Sequence, residues 1–205
     1  DNSVTLPLIL SGDTWQATVP AENIGELGIE YTLTAVNEVG LVYESSAPLF
    51  VRVRTIANGL TIPYASFGST IASYEIFSIP LELDNATVKS VFDELPSLDK
   101  SKWRISRYDS DTDTNVELTG SSLLTAGEGY WLIVRNNPGV ELFTGTGVSV
   151  PTPKTIQLKA GWNQIGNPYN FDLIWSDVVA ANPGLPESFR GYNGSIQNFE
   201  DLTLL

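Results

Sequence analysis

One sequence pattern occurs twice in this chain of 205 residues. The first copy, Tyr74-Glu-Ile-Phe-Ser-Ile-Pro-Leu-Glu-Leu-Asp84, is matched by Trp162-Asn-Gln-Ile-Gly-Asn-Pro-Tyr-Asn-Phe-Asp172, with aromatic, proline, apolar and aspartate positions in the same register. A short apolar-periodic stretch follows each copy, and then a strand-like run that ends in Tyr108-Asp109 or in Tyr192-Asn193. The repetition predicts that residues 74–205 are a tandem of one supersecondary unit.

The second copy is the shorter one within this sequence. In the first copy, Ser122-Leu-Leu124 leads into Gly127-Glu-Gly-Tyr-Trp131. The second copy stops at Thr203-Leu-Leu205, where a similar glycine and aromatic strand would be due. We therefore expect a truncated second copy and a chain that is part of a longer protein.

Composition indicates a globular, β-rich chain. Hydrophobic residues make up 42% of the sequence, and Gly and Pro interrupt runs of β-branched and aromatic residues at short intervals. We predict a mainly β fold, with a partial immunoglobulin-like β-sandwich followed by a tandem β-rich repeat that has one short helix per copy. The expected division is residues 1–55 for the sandwich part, 56–73 for a connector, 74–160 for copy 1 and 161–205 for copy 2. Within copy 1 we expect a short helix over 88–95, capped by Asp84 or Thr87, and strands at 103–108, 115–119, 129–135, 142–144 and 154–158.

Charge and missing residue types exclude several functions. The formal net charge is −13 and the 11 Lys and Arg residues are scattered, which argues against nucleic acid and against anionic membrane surfaces. No apolar run approaches the roughly 20 residues of a membrane helix, so we expect no direct membrane insertion. The sequence has no Cys and no His, which removes thiolate and Ser-His-Asp chemistry. We expect no enzymatic activity from this region. Glu128 has an unusual setting between Gly127 and Gly129, which a glycine-flanked turn explains.

The apolar and polar pattern of residues 3–54 predicts four short strands, at 3–10, 15–19, 30–36 and 49–53. Tyr31 follows Gly28 at the start of a strand, which fits either the tyrosine corner of an immunoglobulin-like sandwich or an ordinary core tyrosine. Four strands are fewer than the seven or so of such a sandwich. We therefore expect only part of a sandwich here.

Three segments of this first part carry a resemblance to a known family: Trp15-Gln-Ala-Thr-Val-Pro20, Gly28-Ile-Glu-Tyr31 with its continuation to Gly40, and Pro48-Leu-Phe-Val-Arg52. They resemble the C-terminal half of immunoglobulin-like or fibronectin-type-III-like repeats in large secreted proteins of Bacteroidetes-type bacteria. Those repeats carry an Asp and a Gly-Asn where this chain has Asn37 and Gly40-Leu41, so the match is partial.

The segment Gly161-Trp-Asn-Gln-Ile-Gly-Asn-Pro-Tyr169, preceded by Gly127-Glu-Gly-Tyr-Trp-Leu132 and Gly145-Thr-Gly147, resembles a β-rich repeat near the C-terminal ends of the same bacterial surface proteins. The resemblance implies a secreted multidomain protein at the cell surface, often with a C-terminal sorting module. The partners that it implies are other domains of the same polypeptide or a surface complex. It implies no catalytic residue.

Alternating carboxylates mark one loop as a candidate calcium site. Asp109, Asp111 and Asp113 recur at every second position, as in loops that offer oxygen ligands to Ca²⁺. An EF-hand also needs Gly at the sixth position and Glu at the twelfth, where this sequence has Thr114 and Gly120. A looser hairpin-loop calcium site therefore stands against a solvated turn.

Aromatic residues offer candidate stacking platforms for sugar rings. We expect three of the five tryptophans, Trp131, Trp162 and Trp175, to lie in the core, because aromatics form much of a small β core. A ligand site, if one exists, is expected near Tyr108, Tyr169 and Tyr192.

The sequence favours a non-catalytic region that spaces or anchors neighbouring domains of a large secreted bacterial surface protein. Two alternatives stay open. The chain could be a carbohydrate-binding module that brings a neighbouring catalytic domain to polysaccharide, or an assembly subunit whose edges accept a donated strand.

Overall fold

The chain folds as a mainly β protein with antiparallel sheets, as predicted. The computed structural model describes residues 3–45, 48–55 and 57–202. It divides into two compact units, with the boundary between Val53 and Arg54.

Within the described residues, short strands alternate with turns along the whole chain, and two α-helices interrupt them in the second unit. The helices are α1 (Val88–Val91) and α2 (Trp175–Ala181). The strands are β1 (Ile9–Ser11), β2 (Thr14–Gln16), β3 (Ile29–Tyr31), β4 (Thr34–Val36), β5 (Val42–Glu44), β6 (Leu49–Val51), β7 (Thr61–Ile62), β8 (Glu75–Ser78), β9 (Leu81–Leu83), β10 (Trp103–Asp109), β11 (Thr114–Glu117), β12 (Gly129–Val134), β13 (Leu142–Phe143), β14 (Gly147–Ser149), β15 (Phe189–Asn193) and β16 (Asn198–Leu202).

Among its described residues, the first unit contains three two-stranded ribbons. β1 pairs with β2, β3 with β6, and β4 with β5, each antiparallel. Gly12 occupies the left-handed region (φ 62°) in the turn between β1 and β2, where a Cβ would be strained. The strand predicted over 30–36 is split, because β3 and β4 pair with different partners.

No described residue of the first unit is buried. Isolated two-stranded ribbons present both faces to solvent, so their apolar side chains have little to pack against. Tyr31, for which a core position was one expectation, is 38% exposed. The tyrosine-corner interpretation stays a prediction.

A four-stranded antiparallel sheet in the order β11-β10-β12-β8 forms the centre of the second unit. In β10, Trp103 and Ile105 are buried whereas Arg104 between them is exposed, which is the period-two pattern of a strand with one covered face. The two inner strands pair from Trp103↔Val134 to Ser106↔Trp131.

The short helix α1 covers one face of this sheet. Thr87 caps it by accepting the Ser90 N–H on its hydroxyl at 3.3 Å. The helix ends at Val91, earlier than the predicted Leu95. Phe92 packs edge-on against Phe77 with ring centroids 5.7 Å apart. Together with buried side chains of β10 and β12 these residues form the core of the unit.

The predicted connector packs into the second unit. Of its described residues, 57–73, Ile62 is 3% exposed and β7 pairs with β13. The Tyr64 hydroxyl donates to the Ser73 carbonyl at 2.8 Å and accepts the Val134 N–H at 2.8 Å. Burial raises the pKa of Tyr64 to about 12. This segment is therefore part of the core as well as a connection.

A strand expected over residues 154–158 is not formed, and β14 (Gly147–Ser149) pairs with β9 instead. Pro151 and Pro153 lack the N–H that a strand ladder needs, so the chain leaves the sheet after β14. Residues 154–159 lie along the wall of a cavity.

Candidate ligand-binding site

Two hairpins of the second unit have the same geometry. β10 pairs with β11 from Ser106↔Glu117 to Asp109↔Thr114, and β15 pairs with β16 from Arg190↔Asp201 to Asn193↔Asn198. Each residue of the second hairpin lies 84 positions after its counterpart in the first. Register and loop length are therefore identical.

The two hairpin loops also agree in detail. The Asp109 carboxylate accepts the N–H of Asp111 at 3.0 Å, and the Asn193 side-chain oxygen accepts the N–H of Ser195 at 3.0 Å. Such Asx bonds start a turn locally, without help from distant residues. The Asn193 amide and the Asp109 carboxylate thus stabilise their turns in the same way.

The three aspartates of the candidate calcium loop each have a separate partner. The Asp111 N–H lowers the pKa of Asp109, Asp111 pairs with Lys159, and Asp113 accepts the hydroxyl of Tyr108. Among the described residues no group of three or more acidic side chains is placed to hold a metal ion. The calcium site stays a prediction.

A cavity of about 360 Å³ opens beside the first hairpin. Three stretches of the chain line it: the end of β10 with its loop, the turn from Thr125 to Gly129, and residues 154–159 together with 163–165. The cavity therefore lies where residues 163–165 meet the end of β10 and the 125–129 turn.

The cavity exists because β10 and β12 diverge after Ser106↔Trp131. Gln164 enters the gap: its Oε1 accepts the Tyr108 N–H of β10 at 2.8 Å, and its carbonyl faces the Gly129 N–H of β12 at 3.5 Å. Beside it, Ile165 forms a bridge with Glu128, and the Gly166 N–H donates to the Gly127 carbonyl at 3.0 Å.

Close backbone approach explains why Gly129 and Gly166 carry no side chain. A Cβ on Gly129 would lie 2.7 Å from the Ile165 carbonyl oxygen, and a Cβ on Gly166 would lie 2.3 Å from the Ser78 Cβ. Neither position has room for a side chain. The glycines let copy 2 lie directly against β12.

Glu128 is anchored in the cavity wall. The Tyr130 hydroxyl donates to its Oε2 at 2.7 Å, and the Arg107 guanidinium lies 3.6 Å from the same oxygen. Burial and this carboxylate raise the pKa of Tyr130, whose hydroxyl also accepts the Thr125 N–H at 2.7 Å. The Oε2 atom of Glu128 is thus held by the protein itself.

In Gln164, only one of the two side-chain polar atoms has a hydrogen-bond partner among the described residues. Its Oε1 is occupied by Tyr108, which fixes the orientation of the amide, because a backbone N–H needs an oxygen acceptor. Its Nε2 is buried and has no hydrogen-bond partner among the described residues. A buried donor of this kind costs free energy unless something accepts from it.

The three predicted ligand tyrosines do not converge. Tyr108 lines the cavity. Tyr169 supports the wall from outside: its hydroxyl accepts the Lys154 N–H at 2.9 Å, and its ring stacks on Phe171 at 5.2 Å. Tyr192 lies elsewhere, packed on Trp131 with ring centroids 4.9 Å apart.

The tryptophans are distributed differently from the expectation. Trp175 is buried and Trp131 is half-buried, but Trp162 is 64% exposed. Trp162 precedes the point at which copy 2 joins β12, so its neighbour Asn163 lines the cavity while the indole stays in solvent. The core prediction for Trp162 is wrong.

Sequence reasoning missed Gln164 and Lys154 as cavity residues. A glutamine inside a repeated motif signals nothing chemical alone. The available signal was that copy 1 has Ile76 where copy 2 has Gln164, a polar residue in an apolar register.

No protein-family model, curated protein or solved structure matches this chain. In the part of the chain that the structure describes, neither helix is long and apolar enough to cross a membrane.

Proposed function

We propose that this chain is a non-catalytic structural and interaction region of a large secreted bacterial cell-surface protein, in which it spaces or anchors neighbouring domains. In this proposal, residues 74–205 are two copies of one β-rich unit, and the first unit belongs to an immunoglobulin-like sandwich. The observation that carries the proposal is the shared geometry of the two hairpins. They agree in register, loop length and Asx bond although their sequences differ.

Packing of copy 2 on copy 1 supports a role that depends on mechanical continuity. The Trp131 ring on β12 contacts Tyr74 of its own copy at 6.1 Å, and Tyr192 and Phe199 of the second hairpin at 4.9 Å and 6.1 Å. The Tyr192 hydroxyl donates to the Ile71 carbonyl at 3.0 Å. Neighbouring repeats that share a core resist separation better than domains that are joined only by a flexible linker.

The surface is suited to a crowded extracellular setting. The net charge of −13 keeps copies of the chain apart in solution. Charged pairs on the hairpin strands, Arg104 with Glu117 and Arg190 with Asp201, discourage pairing of these strands with other chains. The partners that we propose are other domains of the same polypeptide or a surface complex.

Cell-surface location is tested with an antibody raised against the purified chain. Intact cells of the source bacterium should be labelled, and protease added outside the cells should remove the signal. A cytoplasmic protein serves as the control for cell integrity. Labelling that requires permeabilised cells would overturn the proposal.

The repeat packing is tested separately by a double-mutant cycle on Trp131 and Tyr192. Each change to alanine should destabilise the second unit, and the two losses should couple by about 0.5–1.5 kcal/mol, as for other aromatic pairs. Pairing Trp131→Ala with Phe171→Ala, in which the second ring stacks on Tyr169, provides the control cycle. Equal coupling in both cycles would contradict a specific contact between the copies.

A further inference from the structure

We propose that the edge of the second hairpin that faces away from β16, at residues 187–190, accepts an antiparallel strand of the β12 type from a neighbouring domain of the same polypeptide. A β12-type strand begins with glycine and continues with aromatic and branched apolar residues, as Gly129–Val134 does. The proposal rests on the proposed function, because it takes the two hairpins as copies of one unit. It deepens that function by naming the surface at which copy 2 joins its neighbour.

In copy 1, β12 covers the edge of the hairpin that faces away from β11. Residues 103–106 of β10 pair with residues 131–134 of β12. Alternate residues of an antiparallel strand turn their N–H and C=O groups to the same side. The Lys102 carbonyl accepts the Arg135 N–H at 2.8 Å, so the residues two and four positions further along β10 face β12 as well.

The equivalent edge of the second hairpin has no partner strand among the described residues, because β15 pairs with β16 alone. The two hairpins have the same register at an offset of 84 positions, so Ser188 and Arg190 stand where Arg104 and Ser106 stand in copy 1. Their backbone N–H and C=O groups therefore point away from β16. A free strand edge of this kind is a template for another strand.

The helix of copy 2 is also covered less completely than the helix of copy 1. Val91 and Phe92, at the end of α1, are 1% and 2% exposed. Counted from the residue before each helix, Val178 and Val179 of α2 stand in the same places, and both are only half-buried. The second hairpin and its helix can therefore bury further apolar surface.

The apolar side chain of the open edge lies where a β12-type strand would pack. In copy 1, Ile105 of β10 lies opposite Leu132 of β12, and both are fully buried. Phe189 stands in the place of Ile105 and is half-buried against Trp175 of α2, with ring centroids 5.1 Å apart. A strand paired with residues 187–190 would bring an apolar side chain opposite Phe189, as Leu132 is brought opposite Ile105.

The donor is a further part of the same polypeptide and not a second copy of this chain. The β12 strand of another copy is not free to pair, because β10 and β8 hold its two edges. The net charge of −13 also keeps copies apart. In copy 1 the partner strand comes from the same chain, after residues 118–128, and the repeat predicts the same arrangement for copy 2.

The ion pair of Arg190 with Asp201 is compatible with such a neighbour. Arg104 forms the same kind of cross-strand pair with Glu117, at 2.9 Å, although β12 lies beside β10. Both arginines are exposed, whereas the buried side chains of β10 lie on its other face. The ion pair therefore discourages unrelated chains without blocking a β12-type strand.

The proposal is tested by giving the whole chain a second β12. The sequence of residues 125–135 is joined after Leu205, because Thr203-Leu-Leu205 matches the Ser122-Leu-Leu124 that precedes residue 125 in copy 1. An extension of the same composition in scrambled order is the control. The covalent link keeps the added strand at a high effective concentration near β15.

Hydrogen–deuterium exchange followed by NMR measures which edge the added strand covers. The N–H groups of Ser188 and Arg190 should exchange more slowly than in the unextended chain, by more than about tenfold. Asp201 lies opposite Arg190 and turns its N–H to the other edge of the hairpin, so its rate should not change. The scrambled extension should protect neither edge.

Each other result overturns part of the proposal. Unchanged exchange at Ser188 and Arg190 in the extended chain would overturn the acceptor edge. Protection of Asp201 in their place would assign the strand to β16. Protection of Ser188 and Arg190 in a chain that sediments as a dimer would show donation between copies and overturn the same-polypeptide source.

Two proline variants locate the strand without changing its sequence. Arg190→Pro removes the N–H that faces the proposed strand, whereas Asp201→Pro removes one that faces the opposite edge. Each variant breaks the same ion pair, so the two are matched. The extension should raise the urea midpoint of the unchanged chain and of Asp201→Pro and leave that of Arg190→Pro where it is. Equal gains in the two variants would overturn the assignment to β15.

The outcome does not depend on one variant or on the cell experiment. If Arg190→Pro unfolds, exchange in the extended unchanged chain still decides the question. Labelled cells with an unprotected β15 edge would leave the surface location standing and overturn the acceptor edge. A protected edge in a protein that antibody reaches only in permeabilised cells would do the reverse.

Discussion

Asp113 and Gln197 hold the same left-handed backbone conformation, with φ of 53° and 51°, at the last position of the two matching hairpin loops. This region favours glycine, because a Cβ crowds the following carbonyl there. Asp tolerates it better than Gln does, and Asp113 also accepts the Tyr108 hydroxyl. Gln197 is exposed and has no such compensation in the described residues. The two loops thus share one strained position with unequal support.

Replacing Gln197 by glycine should therefore stabilise the second unit. The expected gain is about 0.5–1 kcal/mol, since glycine removes the strain but adds freedom to the unfolded chain. Urea denaturation followed by tryptophan fluorescence measures it. Gln197→Ala keeps the Cβ and should give no gain. Asp113→Gly should gain less, because Tyr108 loses its acceptor. A loss of stability in Gln197→Gly would show that the left-handed position is not strained.

Gly129→Ala should strongly destabilise the second unit and close the cavity. The new Cβ would lie 2.7 Å from the Ile165 carbonyl oxygen and 3.0 Å from the Gln164 Cγ, so the copy 2 segment would have to move. We expect a loss of about 2–4 kcal/mol, as for other forced overpacking in a core. Gly120→Ala is the control, because its nearest neighbour, the Lys89 Cβ, lies at an ordinary 3.6 Å. Similar unfolding midpoints for the two variants would contradict the close approach.

Local patterns in the sequence predicted the elements that neighbouring residues decide. Alternation in Trp103-Arg-Ile-Ser predicted β10, and Thr87 followed by apolar residues predicted the start of α1. The end of α1 was missed, because α-helical hydrogen bonding does not continue past Phe92. Such boundaries depend on tertiary packing more than on propensity.

The candidate site depended on contacts that no local pattern contains. Gln164 and Tyr108 are 56 positions apart in sequence, and the gap that Gln164 enters exists only because β10 and β12 diverge. For the aspartates, a local pattern was present but did not reveal their partners. Their spacing suggested calcium ligands, whereas the Asp111 carboxylate pairs with Lys159, which is 48 positions away in sequence. Sequence spacing therefore predicted the residue types near the cavity and not their partners.

Asp84 should make the second unit less stable in acid. The hydrogen bond from Arg54, at 2.6 Å, and then that from the Thr146 hydroxyl, at 2.9 Å, lower the pKa of Asp84 below its model-peptide value. The folded pKa lies below the unfolded one. The stability that the ionised Asp84 carboxylate contributes is therefore present above the unfolded pKa and is lost as pH falls through the folded pKa. Asp84→Asn should flatten the fall in stability below pH about 4. If stability below pH about 4 falls equally in Asp84→Asn and in the unchanged chain, the role of this pair is contradicted. Asp93→Asn, which changes an exposed carboxylate of the same unit, is the control.

Glu94 should have the opposite pH dependence. Its Oε2 is buried without a hydrogen-bond partner among the described residues, and burial raises its pKa. Because the folded pKa lies above the unfolded one, folding is favoured below the unfolded pKa, and this contribution is lost as pH rises through the folded pKa. Glu94→Gln removes the charge but keeps an oxygen to accept the Phe143 N–H. It should therefore stabilise the second unit at pH 7 and leave stability near pH 3.5 unchanged. Urea denaturation of both proteins at the two pH values measures the difference. An equal effect at both pH values would mean that packing, and not the buried charge, sets the stability at this position.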